Sequence, residues 1–451
     1  TTGRMKIKRW CGEHEEIAVT SDMLENLRGV YLKPLRDASL GLKPGKNSQM
    51  ARLMRLLGEN DETGKQSIET LVRRFEILLK RRSPFVATDN AISGRHTKML
   101  GETLSQELEL DVSGNDFRTL SSKIALSTDG MDVDTNGLGF NNLIFMAVVL
   151  SEMIKDPTAA YRGLIIEEPE AHLHANLQNH LASNLEGLIK KEDGTYRKDI
   201  QLILTSHSNH ITTKIDFENT VVLHYKNNNV QAHYILEGFG TTAEEKRQVN
   251  YLKKYLDSEN VNLFYSRRLA LVEGISEKLL FPIFYKIQTG ETVDQSACAV
   301  VNVNGLAFKN FLQIIVNGFH TNCLVLTDSD IGTQSENRAQ ELKDKYDGID
   351  EIDVQISELS TFEKDLINYN KSGSGKIILS KVVQLVRPNA GKDYVNGLGT
   401  DDIDIEGYFA LIEDYKSEFA LQLSLTLAED HSGFVIPKYI EDSIKFLDPL
   451  M

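Results

Sequence analysis

Apolar residues recur every three or four positions across Ser48–Gly58 (SQMARLMRLLG). They do so again across Ser67–Lys80, where Ile68, Leu71, Val72, Phe75, Leu78 and Leu79 make one stripe. That spacing predicts amphipathic helices. Ser67, with Glu69 and Thr70 close behind, reads as an N-terminal capping box, and Lys80, Arg81 and Arg82 suit a helix C-terminus. Helical character continues over Thr97–Glu107, so residues from about 48 to 110 are expected to form a helical insertion. Ahead of it, Arg4–Trp10, Glu16–Thr20 and Leu27–Leu35 read as strands, the last turning at Pro34. Behind it come short, unbroken apolar runs of the kind found in parallel strands buried on both faces: Arg162–Ile166, Ile200–Thr205, Leu269–Val272, Ala299–Val303 and Cys323–Thr327. Helical patterns fall at Leu143–Met153, Ala175–Ile189, Ser276–Lys286 and Phe308–Val316. Thr220–Tyr225 and Val230–Leu236 pair around Asn227–Asn229. Thr241–Leu256 reads as a polar helical connector, and the pattern from Gly373 onward is mostly helical. Alternating strands and helices predict an α/β fold with sites at the C-terminal ends of parallel strands.

Composition narrows the class. At roughly 100–200 residues per domain, 451 residues make two domains the simplest expectation. With 41% hydrophobic and 25% charged residues, the chain is too apolar to be disordered. Cys11, Cys298 and Cys323 are odd in number and far apart, which points to a reducing compartment. No apolar run reaches the 18 or so residues of a membrane span. The longest, Asn142–Met153, stops near Lys155, and the first residues lack the apolar core of a signal peptide. A cytoplasmic protein with no membrane partner is expected. The net charge of −15 argues against a general nucleic-acid binder unless acids and bases are each clustered.

The acids are clustered. Ile165-Ile166-Glu167-Glu168-Pro169-Glu170 ends an apolar strand with two carboxylates. Two acids there are costly unless they hold a cation or activate a water, although alone they also read as a solvated acidic turn. The next strand, Leu202-Ile203-Leu204-Thr205, leads into Ser206-His207-Ser208 and places His207 at the same edge. Upstream, Asn136-Gly137-Leu138-Gly139-Phe140-Asn141-Asn142 precedes the helix expected at Leu143, where exposed backbone N–H groups favour phosphate. In this order the three pieces resemble an ABC-type ATPase. Glu167 would hold Mg²⁺, Glu168 would polarise the attacking water, and His207 would contact the γ-phosphate. Asn136, Gly137 and Gly139 would belong to a signature loop reaching a partner subunit's nucleotide, which implies a head-to-head dimer. No G-x-x-x-x-G-K-[ST] occurs, and Gly41–Asn47 is too short and lacks the hydroxyl. The sequence is therefore expected to begin after the P-loop half of such a domain and to hydrolyse ATP poorly by itself.

A second acidic group follows. Leu269-Ala270-Leu271-Val272-Glu273-Gly274-Ile275-Ser276-Glu277 and Leu324-Val325-Leu326-Thr327-Asp328-Ser329-Asp330 each end a strand with two carboxylates. Four acids at one sheet edge repel one another unless hard divalent cations relieve them, which points to Mg²⁺ or Mn²⁺. Two such ions suit phosphodiester cleavage. Glu363 and Asp365, in Ser360-Thr361-Phe362-Glu363-Lys364-Asp365-Leu366, also read as the acidic first turn of a helix, and Lys416 as an ordinary solvated helix residue.

E-G-x-S-E with D-x-D looks like a TOPRIM domain. ABC-type ATPase motifs followed by TOPRIM motifs resemble the OLD (overcoming lysogenization defect) family, to which the nuclease subunit of Gabija anti-phage systems belongs. The resemblance implies that residues 1–240 are an ABC-type ATPase domain lacking its Walker A half. The insert at about 48–110 would be helical and dimerising, and Val30–Ala38 with Leu42–Leu57 would lie just before it. Residues 241–265 would connect to a TOPRIM nuclease domain, 266–451, with a helical C-terminal region. Glu273, Glu277, Asp328, Asp330 and Glu363 would bind two Mg²⁺ or Mn²⁺ ions, with Asp365 a weaker candidate. Lys416 would stabilise transition-state charge. DNA, a second copy of the chain and a helicase-like protein are the implied partners, with ATP and Mg²⁺ in the ATPase domain and a role in anti-phage defence. Two rivals compete with this reading. A non-catalytic ATP-gated DNA clamp of the SMC or RecF type leaves the second acidic group unexplained. A primase or strand-passing topoisomerase needs a nucleophilic Tyr that no context marks.

Overall fold

Strands β1 (Leu27–Leu32), β2 (Tyr161–Glu167) and β3 (Ile200–Thr205) pair in parallel in that order. The register aligns Val30, Leu164 and Leu202, then Leu32, Ile166 and Leu204, on one face. That face carries the core of the first unit. The computed structural model describes residues 9–34, 38–112, 114, 116–226, 228–256, 260–303, 305, 308–319, 321–333 and 335–448. These divide into two compact units, Thr1–Ile211 and Thr212–Met451. The Arg4–Trp10 strand expectation lies outside the described residues except at its end, as does part of Val30–Ala38.

In the first unit, α1 (Gln49–Glu59) is capped by Ser48, whose Oγ accepts from the Ala51 N–H at 3.1 Å. Helix α2 (Glu62–Lys80) starts five residues before the expected capping box. Asp61 caps it, accepting from the Gly64 N–H at 2.9 Å, and Ser67 falls inside the helix. Helix α3 (Ser83–Leu100) has Pro84 in its first turn and stops before Gly101, whose φ of +74° breaks the turn. Gly101–Glu107 is therefore not helical, against expectation. Neither α2 nor α3 has a buried residue, and Leu71, Phe75, Leu78, Ile92 and Met99 are exposed.

Helix α4 (Leu138–Lys155) starts earlier than the expected Leu143, so Gly137 and Gly139 open it instead of preceding it. Its 18 residues make it long and apolar enough to cross a membrane by length and composition. Met146, Val149 and Met153 pack against Leu164 and Ile166, with Leu181 and Leu185 of α5 (Ala175–Ile189) in the same cluster. On the other face of this sheet, Leu27, Tyr31, Ile165 and Ile203 are exposed.

The hairpin β4 (Val221–Lys226) and β5 (Asn229–Tyr234) belongs to the second unit. The division thus falls at residues 211–212, ahead of the expected 240. The physical reason lies in the packing. Phe217, Ile235, Leu252 of α6 (Ala243–Tyr255), Val261, Leu263 and Phe264 share a core with Leu269 and Leu271. The segment 241–265 is thus wall and core, not a free connector.

The second sheet is four parallel strands ordered β7 (Cys298–Asn302), β6 (Arg268–Val272), β8 (Asn322–Thr327), β9 (Ile352–Ile356). Its residues alternate between two cores. Leu269, Leu271, Cys323 and Val325 face α8 (Phe308–Val316) and the hairpin side. Ala270, Val272, Leu324 and Leu326 face α7 (Ile275–Thr289) and the C-terminal helices. Both faces are covered, which is why these strands read as unbroken apolar runs. Helices α9 (Glu336–Tyr346), α10 (Phe362–Tyr369), α11 (Gly373–Val386), α12 (Ile405–Ile412), α13 (Lys416–Glu429) and α14 (Lys438–Leu447), with a further helix at Ala390–Leu398, cover the rest of the unit.

Candidate active site

Four helix N-termini and two strand ends meet at the C-terminal edge of the second sheet. Glu273 follows β6 and Asp328 follows β8, adjacent parallel strands in register. Glu277 lies in the first turn of α7 and Glu363 in the first turn of α10, where the helix dipole favours a negative charge. Lys416 is the first residue of α13 and Arg338 lies in the first turn of α9, where the same dipole works against a cation. The neighbouring acids offset that cost.

The contacts tie these groups together. One oxygen of Glu273 accepts from Thr327 Oγ1 at 2.7 Å and from the Asp328 N–H at 3.1 Å. Its other oxygen meets the Arg338 guanidinium at 3.1 Å, and the same nitrogen lies 3.4 Å from Asp330. Asp330 itself sits at φ +51°, a left-handed conformation that costs a non-glycine residue energy. Asp328 accepts from the Phe362 N–H at 2.7 Å and so caps α10. Buried Glu363 accepts from Ser276 Oγ at 2.7 Å and pairs with Lys416 at 3.0 Å.

Electrostatics show how crowded the acids are. Burial pushes the Glu277 carboxyl up to about 8, and Glu363 and Glu273 push the same way. Burial pushes Asp328 up to about 9, with Glu277, Glu363 and Glu273 adding to it. Burial works against the Lys416 ammonium, but Glu363, Asp328 and Glu277 outweigh it and its pKa is raised. All five expected acids and Lys416 are thus in one region. Asp365 is used by the backbone: its two oxygens accept from the Glu358 and Leu359 N–H groups, both at 2.8 Å, and fix the loop before α10. Among the described residues, no three His, Cys, Asp or Glu side chains stand in metal-ligating geometry. Arg338 and Lys416 occupy the acids instead. The sequence reading gave no role to Arg338, Ser276 or Thr327: an arginine eight residues past the D-x-D carries no marker, and Ser276 and Thr327 stood between the acids only as spacing.

The first unit holds a second group. Glu167 and Thr205 pair across β2 and β3, so Glu167, Glu168 and His207 emerge at one edge. Tyr31 donates to Glu167 at 2.7 Å. Glu168 adopts φ +42° and its N–H bonds to the Thr205 carbonyl at 2.9 Å. Glu170, which the sequence reading passed over, joins the two loops: one oxygen accepts from Ser206 Oγ at 2.9 Å and from the His207 N–H at 2.7 Å. Asn136 bonds to Thr128 Oγ1 at 3.1 Å. Gly139 packs directly on the His172 carbonyl, while open space surrounds Gly137. The start of α4 therefore lies against the loop that follows the paired glutamates.

Comparisons with known proteins agree with this division. The AAA ATPase domain family matches residues 19–212, which ends where the first unit ends. The TOPRIM domain family of overcoming lysogenization defect-like proteins matches residues 264–330, which spans β6 to Asp330.

An AAA ATPase match followed by an OLD-like TOPRIM match is the arrangement of the OLD family, which this chain resembles.

The chain is 24% identical over 427 residues to endonuclease GajA of Bacillus cereus (strain HuB5-5). The match covers 79% of the chain and only 61% of the length of that curated relative. Among solved structures, the C-terminal region of the Xanthomonas campestris pv. campestris OLD protein matches at 20% identity and a TM-score of 0.31. That match covers 42% of this chain and 95% of the other. The Burkholderia pseudomallei OLD C-terminal region matches at 19% identity and a TM-score of 0.30, covering 41% and 98%.

Proposed function

We propose that this chain is a divalent-metal-dependent DNA endonuclease whose TOPRIM site cuts phosphodiester bonds, with an ATPase domain that regulates it in anti-phage defence. The observation that carries the reading is the gathering of Glu273, Glu277, Asp328, Asp330 and Glu363 at one sheet edge, with two of them pushed far above the usual carboxylate range. GajA, the relative over most of this chain, is named an endonuclease.

The donor set fits a hard cation. It is made of carboxylate oxygens, and their mutual repulsion is what a divalent ion relieves. The five acids would hold Mg²⁺ or Mn²⁺, and bound ions would supply an activated water and stabilise the leaving oxygen. The chain's own residues do the remaining work. Thr327 and the Asp328 N–H fix one oxygen of Glu273 and leave the other facing the cluster. Ser276 and Lys416 fix Glu363. Lys416 keeps its proton and offers a positive charge beside a phosphate. In the ATPase unit, Glu167, Glu168 and His207, with Asn136, Gly137 and Gly139 behind them, would serve ATP and its Mg²⁺. Two copies would pair through α2 and α3, where Leu71, Phe75, Leu78, Ile92 and Met99 are exposed and no residue is fully buried. A cytoplasmic location belongs to the same reading.

Plasmid cleavage with Mg²⁺ or Mn²⁺, with and without EDTA, tests it. Cutting should require metal and disappear in Glu273→Ala and Asp328→Ala. Full cutting by either folded variant would refute the site. No cutting by the folded wild type under any metal would favour the DNA clamp.

A further inference from the structure

Arg338 holds a place that the metal reading needs. One of its guanidinium nitrogens lies 3.1 Å from Glu273 Oε1 and 3.4 Å from Asp330 Oδ2, and so bridges the two strand-end acids. A Mg²⁺ or Mn²⁺ ion held by Glu273 and Asp330 would compete with the guanidinium for their oxygens. The arginine's position does not come from its helix, because the first turn of α9 disfavours a positive charge. Nor is the contact a surface ion pair of little consequence. Arg338, Glu273 and Asp330 are each less than one-third exposed in their side chains. On the opposite flank, Lys416 pairs with Glu363, and among the described residues no ion pair reaches Glu277 or Asp328.

We propose that Arg338 is a displaceable internal cation: it holds Glu273 and Asp330 together when no metal is present, and a divalent ion must expel it to bind. The inference rests on the metal reading above and adds a regulatory step to it. Two consequences follow. The metal-free fold is stabilised by Arg338, so the empty site does not spring apart. Metal affinity is lowered by the same contact, because binding must first break it. Arg338 is thus a positioning residue for the apo state and a competitor of the metal.

The test is Mn²⁺ binding by calorimetry, without DNA, on the full chain. Wild type, Arg338→Ala, Arg338→Gln and Arg338→Lys would be compared with Glu273→Ala, each checked for folding by circular dichroism. Arg338→Ala and Arg338→Gln should bind Mn²⁺ roughly tenfold more tightly, the size expected when one partly buried pair no longer has to be broken. In EDTA their thermal midpoints should fall below wild type, and Arg338→Lys should lie between the two on both readouts. Unchanged or weaker Mn²⁺ binding by the folded Gln variant would overturn the proposal. So would an EDTA midpoint at or above wild type. If Glu273→Ala binds Mn²⁺ as wild type does, the metal reading itself fails, which is a separate outcome from failure of the arginine's role. Should Arg338→Ala not fold, the Gln and Lys variants carry the same comparison.

Discussion

Gly137 and Gly139 stand two residues apart in one motif, and the structure assigns them opposite tolerance to a methyl group. A Cβ built at Gly139 would lie 2.3 Å from the His172 carbonyl oxygen and 3.2 Å from Leu173 Cδ2. Carbon and oxygen pack no closer than about 3.0 Å, so one element must move by most of an ångström. The carbonyl is not free to yield. His172 sits at φ +64° inside a turn closed by Ala171 N–H to Glu168 and Leu173 N–H to Glu170 bonds of 3.1 and 2.9 Å. Overpacking of this kind costs about 1–3 kcal/mol. Alanine regains about 1 kcal/mol in a helix, so Gly139→Ala should lose up to about 2 kcal/mol in the first unit. Gly137 has φ −64° and no atom within 4 Å of its Cβ position, so Gly137→Ala should stay within about 0.5 kcal/mol of wild type. A two-unit chain need not unfold in one step, so the readout should be local. Hydrogen exchange of peptides spanning Leu138–Lys155 and residues 168–174 should show faster exchange in Gly139→Ala alone. Equal protection in both variants, or a stabilised Gly139→Ala, would refute the packing argument and return Gly139 to a purely phosphate-facing role.

Four further outcomes are expected. Asp365→Ala strips the part-buried Glu358 and Leu359 N–H groups of their acceptor, so it should cost about 1–3 kcal/mol in urea unfolding while leaving Mn²⁺ affinity unchanged. A large loss of metal affinity in the folded variant would make Asp365 a ligand after all. Lys416→Met should cut plasmid cleavage on the order of a hundredfold with DNA affinity held, and near-normal rates would remove Lys416 from the chemistry. Replacing Leu71 and Phe75 together by Glu should leave the protein monomeric in light scattering, since each side chain gains about 1.5–3 kcal/mol when fully buried. An unchanged dimer would move the interface elsewhere. Burial pushes the Cys298 thiol up to about 12 and the Cys323 thiol higher still, so iodoacetamide should label neither until the second unit unfolds.

The parts legible in the sequence are those that one strand or helix encodes by itself. Ile200–Thr205, Ala175–Ile189 and Phe308–Val316 were readable to the residue, because each carries its whole hydrophobic pattern and its stop. The acids Glu273, Glu277, Asp328 and Asp330 were readable because a carboxylate ending an apolar run has few reasons to be there. What failed was information held between segments. Ser67 looked like a cap by its neighbours, yet Asp61 won the helix start because an earlier aspartate could reach the Gly64 N–H. Residues 241–265 looked polar enough to be a linker, yet Leu252, Leu256 and Phe264 make one buried stripe once the hairpin and β6 supply a wall. The same limit explains Asp365 and Arg338. Asp365 sits in the acidic first turn of a helix, as Glu363 does, and only the loop folded over it turns it into a backbone anchor. Arg338 lies in a polar amphipathic helix like any surface arginine until β6 and β8 bring Glu273 and Asp330 within its reach. A sequence shows where charge is stored at a strand end; which countercharge meets it is decided by how neighbouring strands register. The charge balance at this site, and with it the entry of any metal, is therefore a property of the assembled sheet edge.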